Sequence, residues 1–110
     1  MIFDKDGNTT IVYQEKKDLS IFLKNLEKEY PKLKNDNLII NLFSFEQLTS
    51  NDVMEFLQIS NQHRDNDKSF VLVTEKVSYD EVPEEITIAP TLQEAKDIIE
   101  MEEIERDLDL

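Results

Sequence analysis

The chain contains two short apolar runs, LIINL at Leu38–Leu42 and FVLV at Phe70–Val73. Neither run alternates regularly with polar residues, and both are rich in branched side chains. Strands of this composition are covered on both faces, which is typical of a parallel sheet. We therefore expect the two runs to form adjacent, buried, parallel strands.

Apolar residues at helical spacing precede the first run. Asp18 is suited to cap a helix, and apolar residues follow at intervals of three and four up to Tyr30. Pro31 is expected to end this helix near Tyr30, because the residue before a proline avoids helical backbone angles. Further upstream, Met1–Lys5 and Thr9–Gln14 are predicted to form a β-hairpin, since Asp6-Gly7 favours a type I′ turn.

A second helix is predicted between the two runs. After a loop over 43–48, Thr49 and Asp52 have the spacing of a capping box, and one apolar face follows as far as Ser60. The wholly polar segment 61–68 is predicted to be a loop.

The last third of the chain continues the alternation of strands and helices. Residues 77–85 are ambiguous, because Pro83 limits any helix there to a turn or two. Ile86–Ile88 is predicted to be a last short strand. Thr91 and Glu94 form a second capping box, which opens a helix to about Asp107. The predicted fold is a single α/β domain over 1–110, in the order ββαβαβ(α)βα, with a mainly parallel sheet and an N-terminal antiparallel hairpin.

The composition excludes several classes of function. No cysteine is present, which excludes disulfides, cysteine-bound metals and a thiol nucleophile. A single histidine argues against a histidine-rich metal site or a Ser-His-Asp triad, and a single glycine argues against a glycine-rich phosphate loop. We expect no metal, no cofactor and no enzymatic activity.

Charge and hydropathy narrow the choice of partner. The net charge is -13, so the chain lacks the excess cations that bind nucleic acid or anionic lipid. No apolar run approaches the roughly 18 residues of a membrane span, and no segment resembles a signal peptide. We expect a cytoplasmic protein that binds neither nucleic acid nor membrane directly.

Most of the negative charge lies near the end of the chain, where residues 75–110 carry a net charge of -10. This region is either a solvated face that keeps the protein in solution or a docking helix for a basic partner. The docking helix would be formed by Glu102, Glu103, Glu105, Asp107 and Asp109. The side chains of Glu102, Glu103 and Glu105 are expected to be mostly solvated, although Glu102 continues the apolar stripe that begins at Leu92.

From Leu38 to Ile99 the chain resembles the STAS domain family, typified by the anti-sigma factor antagonists. These domains have a short apolar strand, a loop, an Asp-Ser-Ser-Gly-like motif that opens a helix, a second apolar strand, and a final helix opened by a T-xx-E-A pattern. In this chain these places are taken, in the same order, by Asn37–Leu42, Phe43–Leu48, Thr49–Asp52, Phe70–Val73 and Thr91–Ala95. The resemblance implies a STAS-like fold and a regulatory protein-binding role.

The chain departs from the family at the motif that is phosphorylated. Aligned without gaps, the phosphoacceptor position falls on Asn51, which cannot accept phosphate. Ser50 and Thr49 remain possible phosphoacceptors, because phosphate is stabilised at a helix N-terminus. Their alternative role is to cap the helix, and the nearby Asp52 would repel a phosphate. Asn51 and Asp52 remain candidates for partner binding.

The segment from Ala89 to Leu108, together with Asn61–Arg64, also resembles small STAS-like proteins of the Bacteroidetes that are often labelled ribonuclease Z. That nuclease is a metallo-β-lactamase-fold enzyme with many histidine ligands, which a chain with one histidine cannot be. The label would then refer to a neighbour or partner.

His63 and Arg64 are the remaining candidate residues. His63 is predicted near the end of the second helix, where a cationic imidazole complements the helix dipole and has a structural or surface role. Alternative roles for His63 are those of a catalytic base or a metal ligand. His63 and Arg64 are also candidates for a partner-binding loop.

Three functions are compatible with these residues. The first is a noncatalytic regulatory protein-interaction module of STAS type. The second is an accessory subunit or partner of an RNA-processing nuclease, and the third is a structural homodimer.

Overall fold

The structure, a computed structural model, describes residues 1–13 and 18–108. Its centre is a sheet of five strands whose spatial order is the order of the sequence: β1 (Ile2–Asp6), β2 (Thr9–Tyr13), β3 (Asn37–Asn41), β4 (Phe70–Val73) and β5 (Thr87–Ala89). β1 and β2 are antiparallel, and each later strand is parallel to its neighbour. The predicted α/β fold, with an N-terminal hairpin on a parallel sheet, is confirmed.

The two central apolar runs are adjacent and buried, as predicted. Ile40 pairs with Leu72 in parallel register, and neither side chain is exposed. Alternate residues of these strands point to opposite faces, and both faces are covered. Helices α1 (Leu19–Leu33), α2 (Ser50–Met54) and α3 (Leu57–Asp65) cover one face. α4 (Leu92–Leu108) covers the other, where Ala95 and Ile99 are buried.

The hairpin turn differs from the prediction. β1 extends to Asp6, which pairs with Thr9, so the two-residue loop is Gly7-Asn8 rather than Asp6-Gly7. Within residues 1–13 and 18–108, Gly7 and Asp67 have positive φ angles. A positive φ at the first loop position alone is the pattern of a type II′ turn, which favours glycine there. Gln14, predicted to end the second strand, lies outside the described residues.

The first two helical segments also differ from their predicted bounds. α1 continues through Pro31 to Leu33, although proline removes one helical hydrogen bond. Tyr30 and Leu33 are buried in the core at this end, which stabilises the extra turn. The predicted second helix is divided into α2 and α3 at Glu55–Phe56, where each backbone N–H donates to the carbonyl three residues earlier, as in a 3-10 helix.

The polar segment 61–68 is largely helical, which corrects the predicted loop: α3 runs to Asp65. Polar residues continue this helix because His63 lies on its buried face. Later in the chain, the ambiguous segment contains a short 3-10 turn at Tyr79–Glu81, capped by Ser78. The last strand is shifted by one residue, to Thr87–Ala89.

Candidate functional site

The inner face of α4 changes character half-way along the helix. Ala95 and Ile99 are apolar and buried against the sheet. Glu102 and Arg106 continue the same row at helical spacing, but they are polar and bind polar partners. The first half of α4 is therefore fixed by apolar packing and the second half by hydrogen bonds and charge.

Those polar contacts form a cluster, which we call the arginine cluster: Arg64, Glu102, Arg106, Ser69 and Asn37. One carboxylate oxygen of Glu102 lies 3.3 Å from Arg64 Nη2, and the other accepts a 2.6 Å hydrogen bond from the hydroxyl of Ser69. Arg106 donates to Ser69 Oγ at 3.2 Å and to Asn37 Oδ1 at 3.4 Å. Ser69 and Asn37 are buried, so the cluster anchors α4 at the start of β3 and β4.

A second set of contacts joins α4 to the hairpin turn. Asn8 Nδ2 donates to Glu103 at 2.7 Å, and Lys96 Nζ lies 3.4 Å from Asp6. Both contacts are accessible to solvent, so each contributes little to stability alone. They hold the flank of α4 that faces β1 and β2.

These contacts separate the acidic residues that the sequence grouped together. The expectation that Glu102 is mostly solvated is wrong, because 22% of its side chain is exposed and it binds Arg64 and Ser69. Glu103 is partly covered and binds Asn8, whereas Glu105 and Asp107 are exposed. Asp109 lies outside the described residues. The carboxylates accessible to a partner, such as those of Glu105 and Asp107, therefore lie on the side of α4 that points away from the sheet. We call this side the outer face of α4.

The outer face of α4 also carries three large apolar side chains, which we call the outer strip: Met101, Ile104 and Leu108. Their exposed fractions are 62%, 53% and 78%. Spacings of three and four residues place them along one side of the helix. The sequence-based prediction missed this strip because it followed the apolar period of the inner face. The sequence does contain a signal for the strip, because Met101, Ile104 and Leu108 are a second set of apolar residues at helical spacing.

His63 lies on the buried face of α3, where it contacts α1 and the segment before β3. Its Nδ1 is 2.7 Å from the hydroxyl of Tyr30, and its Nε2 is 2.7 Å from the carbonyl oxygen of Asp36. Because a carbonyl only accepts, Nε2 carries the proton and Nδ1 accepts from Tyr30. Burial lowers the pKa of His63, and the positive charge of Lys68 acts in the same direction.

This placement decides what His63 can do. The imidazole has no exposed surface, and both ring nitrogens are engaged. The lowered pKa favours the neutral ring rather than the cation expected at the end of a helix. A role in joining α1 to α3 accounts for its geometry, and contact with a partner would require the core to open. Arg64, beside it in sequence, points instead into the arginine cluster and also donates to Thr87.

The segment Thr49–Asp52 forms the capping box that the sequence predicted. Thr49 Oγ1 accepts from the N–H of Asp52 at 3.2 Å, and the carboxylate of Asp52 accepts from the N–H of Thr49 at 2.9 Å. Thr49 and Asn51 are exposed and Ser50 is partly exposed. Thr49 is thus engaged in capping, while Ser50 is the first residue of α2.

The concave regions in the described part of the chain include the following three. A cleft of about 390 Å³ lies between α1 and α3, lined by Glu27, Tyr30, Pro31, Gln58, Ile59 and Gln62. One of about 220 Å³ lies at the carboxyl ends of β3 and β4, beside Phe43 and Lys76. The third, about 250 Å³, is open and lies between Arg64, Glu102, Glu105 and Arg106.

Two further properties bear on function. Among residues 1–13 and 18–108, no cluster of three or more histidine or acidic side chains could hold a metal ion. In the same ranges, no helix combines the length and apolar character needed to cross a membrane.

Comparison with known proteins adds no family. No protein-family model matches the chain. No curated protein matches it either. The residues and their geometry are therefore the basis for any function proposed for this chain.

Proposed function

We propose that this chain is a noncatalytic, regulatory protein-interaction module of STAS type, and that a partner with a basic surface docks on the outer face of α4. The observation that carries the proposal is the outer face itself. It presents Glu100, Glu105 and Asp107 to solvent on a helix that is fixed to the sheet from its other side.

The distribution of charge supports a basic partner. Residues 75–110 hold a net charge of -10, and their field extends about 8 Å at physiological salt. Such a field raises the rate at which a cationic surface meets this side of the molecule and disfavours acidic partners. A second copy of this chain carries the same charge, which disfavours a homodimer through this face.

The noncatalytic part of the proposal is supported by the state of the polar residues. The only histidine of the chain is buried and hydrogen-bonded at both nitrogens, and burial lowers its pKa. In the arginine cluster, the carboxylate of Glu102 is engaged by Arg64 and Ser69, and Arg106 donates to Ser69 and Asn37. An RNA-processing nuclease with a basic surface would satisfy the same chemistry as a partner, so the accessory-subunit function is one identity the partner could have.

The experiment is capture of partners from the native cell with two matched baits. The first variant is Glu100→Lys/Glu105→Lys/Asp107→Lys, which reverses the outer face of α4. The control variant, Glu27→Lys/Glu55→Lys/Asp65→Lys, reverses three exposed acids on the layer of α1–α3 and has the same net charge.

Quantitative mass spectrometry of the captured proteins gives the readout. We expect wild type and the control variant to retain the same basic protein and the outer-face variant to lose it. Equal capture by all three baits, or capture of an acidic protein, contradicts the proposal. Light scattering of the purified chain tests the homodimer, for which the proposal expects a monomer mass.

A further inference from the structure

The outer face of α4 combines charge with apolar surface, and the two together specify the partner more closely than charge alone. We infer that it receives a basic amphipathic helix, whose apolar stripe packs on the outer strip and whose lysines or arginines meet the flanking carboxylates. The inference rests on the proposed function and names the class of partner.

The outer strip is unusual for the solvent side of a surface helix. Such a helix normally places its apolar residues toward the core and polar residues outward. In α4, Met101, Ile104 and Leu108 are each more than half exposed, while the inner row turns polar at Glu102 and Arg106. Three adjacent exposed apolar side chains form a patch that favours burial by a partner.

Carboxylates border this strip on both sides. By helical periodicity, Glu105 lies along one flank, and Glu100 and Asp107 lie along the other. All three side chains are exposed. A partner that covers the strip therefore brings its own flanks within reach of negative charge, and lysine or arginine at those positions gains from it.

The same arrangement argues against two other occupants. A second copy packed strip to strip would bring carboxylates against carboxylates, which is unfavourable. An anionic membrane surface would repel the outer face, although its apolar side chains could enter a lipid layer. A basic protein segment satisfies both the apolar strip and its borders.

The shape of the strip favours a helix as the partner segment. Seven residues separate Met101 from Leu108, which corresponds to about 10 Å along the axis, or two turns. Rows at spacings of three and four residues on one helix fit between the matching rows of another. A partner helix of two to three turns, with apolar residues at i, i+3 and i+7, matches this length.

Two synthetic peptides and three proteins test the inference. One peptide, about 15 residues long so that it is able to form a helix, has leucines at i, i+3 and i+7 between flanking lysines. The other has serine at each leucine and the same charge. The proteins are the full wild-type chain, Ile104→Gln/Leu108→Gln, and the control Tyr79→Gln, which changes a residue that is 79% exposed on the 3-10 turn.

Binding is measured by fluorescence anisotropy, with circular dichroism as a check that each protein is folded. We expect wild type and Tyr79→Gln to bind the leucine peptide about tenfold more tightly than the serine peptide, as burial of two or three large apolar side chains allows. The double variant is expected to lose this preference and bind both peptides with the weaker affinity.

The other outcomes overturn the inference in distinguishable ways. If wild type binds both peptides with equal affinity while outer-face reversal still abolishes partner capture, the inferred amphipathic helix is wrong. The charge-based function proposed above then stands. Failure of both peptide preference and charge-dependent capture overturns the proposed function too. A wild-type dimer that Ile104→Gln/Leu108→Gln converts to monomer, or wild-type binding to anionic vesicles, assigns the strip to a different occupant.

Discussion

His63 shows how one buried residue couples the stability of the molecule to pH. Its ring donates to the carbonyl of Asp36 and accepts from the hydroxyl of Tyr30, so α1 and α3 are joined through a neutral imidazole. Protonation would place a positive charge inside the core, which is costly. Burial lowers the pKa of His63 for this reason.

We predict that the free energy of unfolding falls as pH decreases below about 6.5, the usual pKa of histidine in an unfolded chain. The unfolded state takes up a proton there while the folded state does not, so unfolding is favoured by up to about 1.4 kcal/mol per pH unit. Urea unfolding between pH 7.5 and 5.5 measures the slope. His63→Gln should flatten it, and an unchanged slope in that variant contradicts the prediction.

The capping box gives a second prediction at this scale. Thr49 provides the capping oxygen, so Thr49→Ala should lower the free energy of unfolding by about 1 kcal/mol. Ser50→Ala should cost less than this, because Ser50 is the first helical residue rather than the cap, and should leave partner binding unchanged. Chemical denaturation compares the two. Phosphate on Ser50 or Thr49 in protein from the native cell would favour a switch over a cap.

At the scale of elements, α4 depends on the arginine cluster for the position of its second half. Beyond Ile99, its described inner contacts are those of Glu102, Glu103 and Arg106. Partly buried charges that lose their partner are costly because they remain desolvated. The outer face is therefore held in place by residues on the opposite side of the same helix.

We predict that Glu102→Ala destabilises the protein by about 1 to 2 kcal/mol, since it leaves the Ser69 hydroxyl without its acceptor and Arg64 without its carboxylate partner. Amide exchange should accelerate in residues 100–108 more than in the sheet. Glu100→Ala, on the exposed side of the same turn, is the matched control and should change neither quantity appreciably. Equal effects of the two substitutions would show that the arginine cluster does not anchor α4.

The elements also show where sequence patterns suffice and where they do not. The capping residues and apolar periods predicted α1, the start of α2 and the start of α4, because these signals are local. The polar segment 61–68 predicts a loop, but residues 61–65 are helical. This part of the helix depends on His63, whose partners Tyr30 and Asp36 lie about 30 positions earlier in the chain. Polar contacts over such separations leave no periodic signal.

At the scale of the whole molecule, the sheet is the most predictable feature. Leu38–Leu42 and Phe70–Val73 lack a polar face, and layers of helices cover both sides of the strands they form. The candidate site was less predictable. The acidic end of the chain indicates a docking helix. The rotation of α4 about its own axis relative to the sheet decides which carboxylates are exposed and where the outer strip lies, and the sequence does not specify that rotation.

Ile40 tests the packing of the sheet. It is fully buried, so Ile40→Asp would place an unpaired charge in the core at a cost of several kcal/mol. We expect this variant to be unfolded by circular dichroism. The conservative Ile40→Val should remain folded and lose about 1 kcal/mol. A folded aspartate variant would contradict the burial of this strand.

The central claim is that a basic partner docks on the outer face of α4. Its most direct test is the affinity of the captured partner for wild type, for the outer-face reversal and for the matched control reversal, measured at low and high salt. We predict that salt weakens wild-type binding mainly through slower association, that Glu100→Lys/Glu105→Lys/Asp107→Lys weakens it further, and that Glu27→Lys/Glu55→Lys/Asp65→Lys has little effect. Binding that is insensitive to salt and tolerates the outer-face reversal would contradict the claim and move the search for the docking site to Thr49–Asp52.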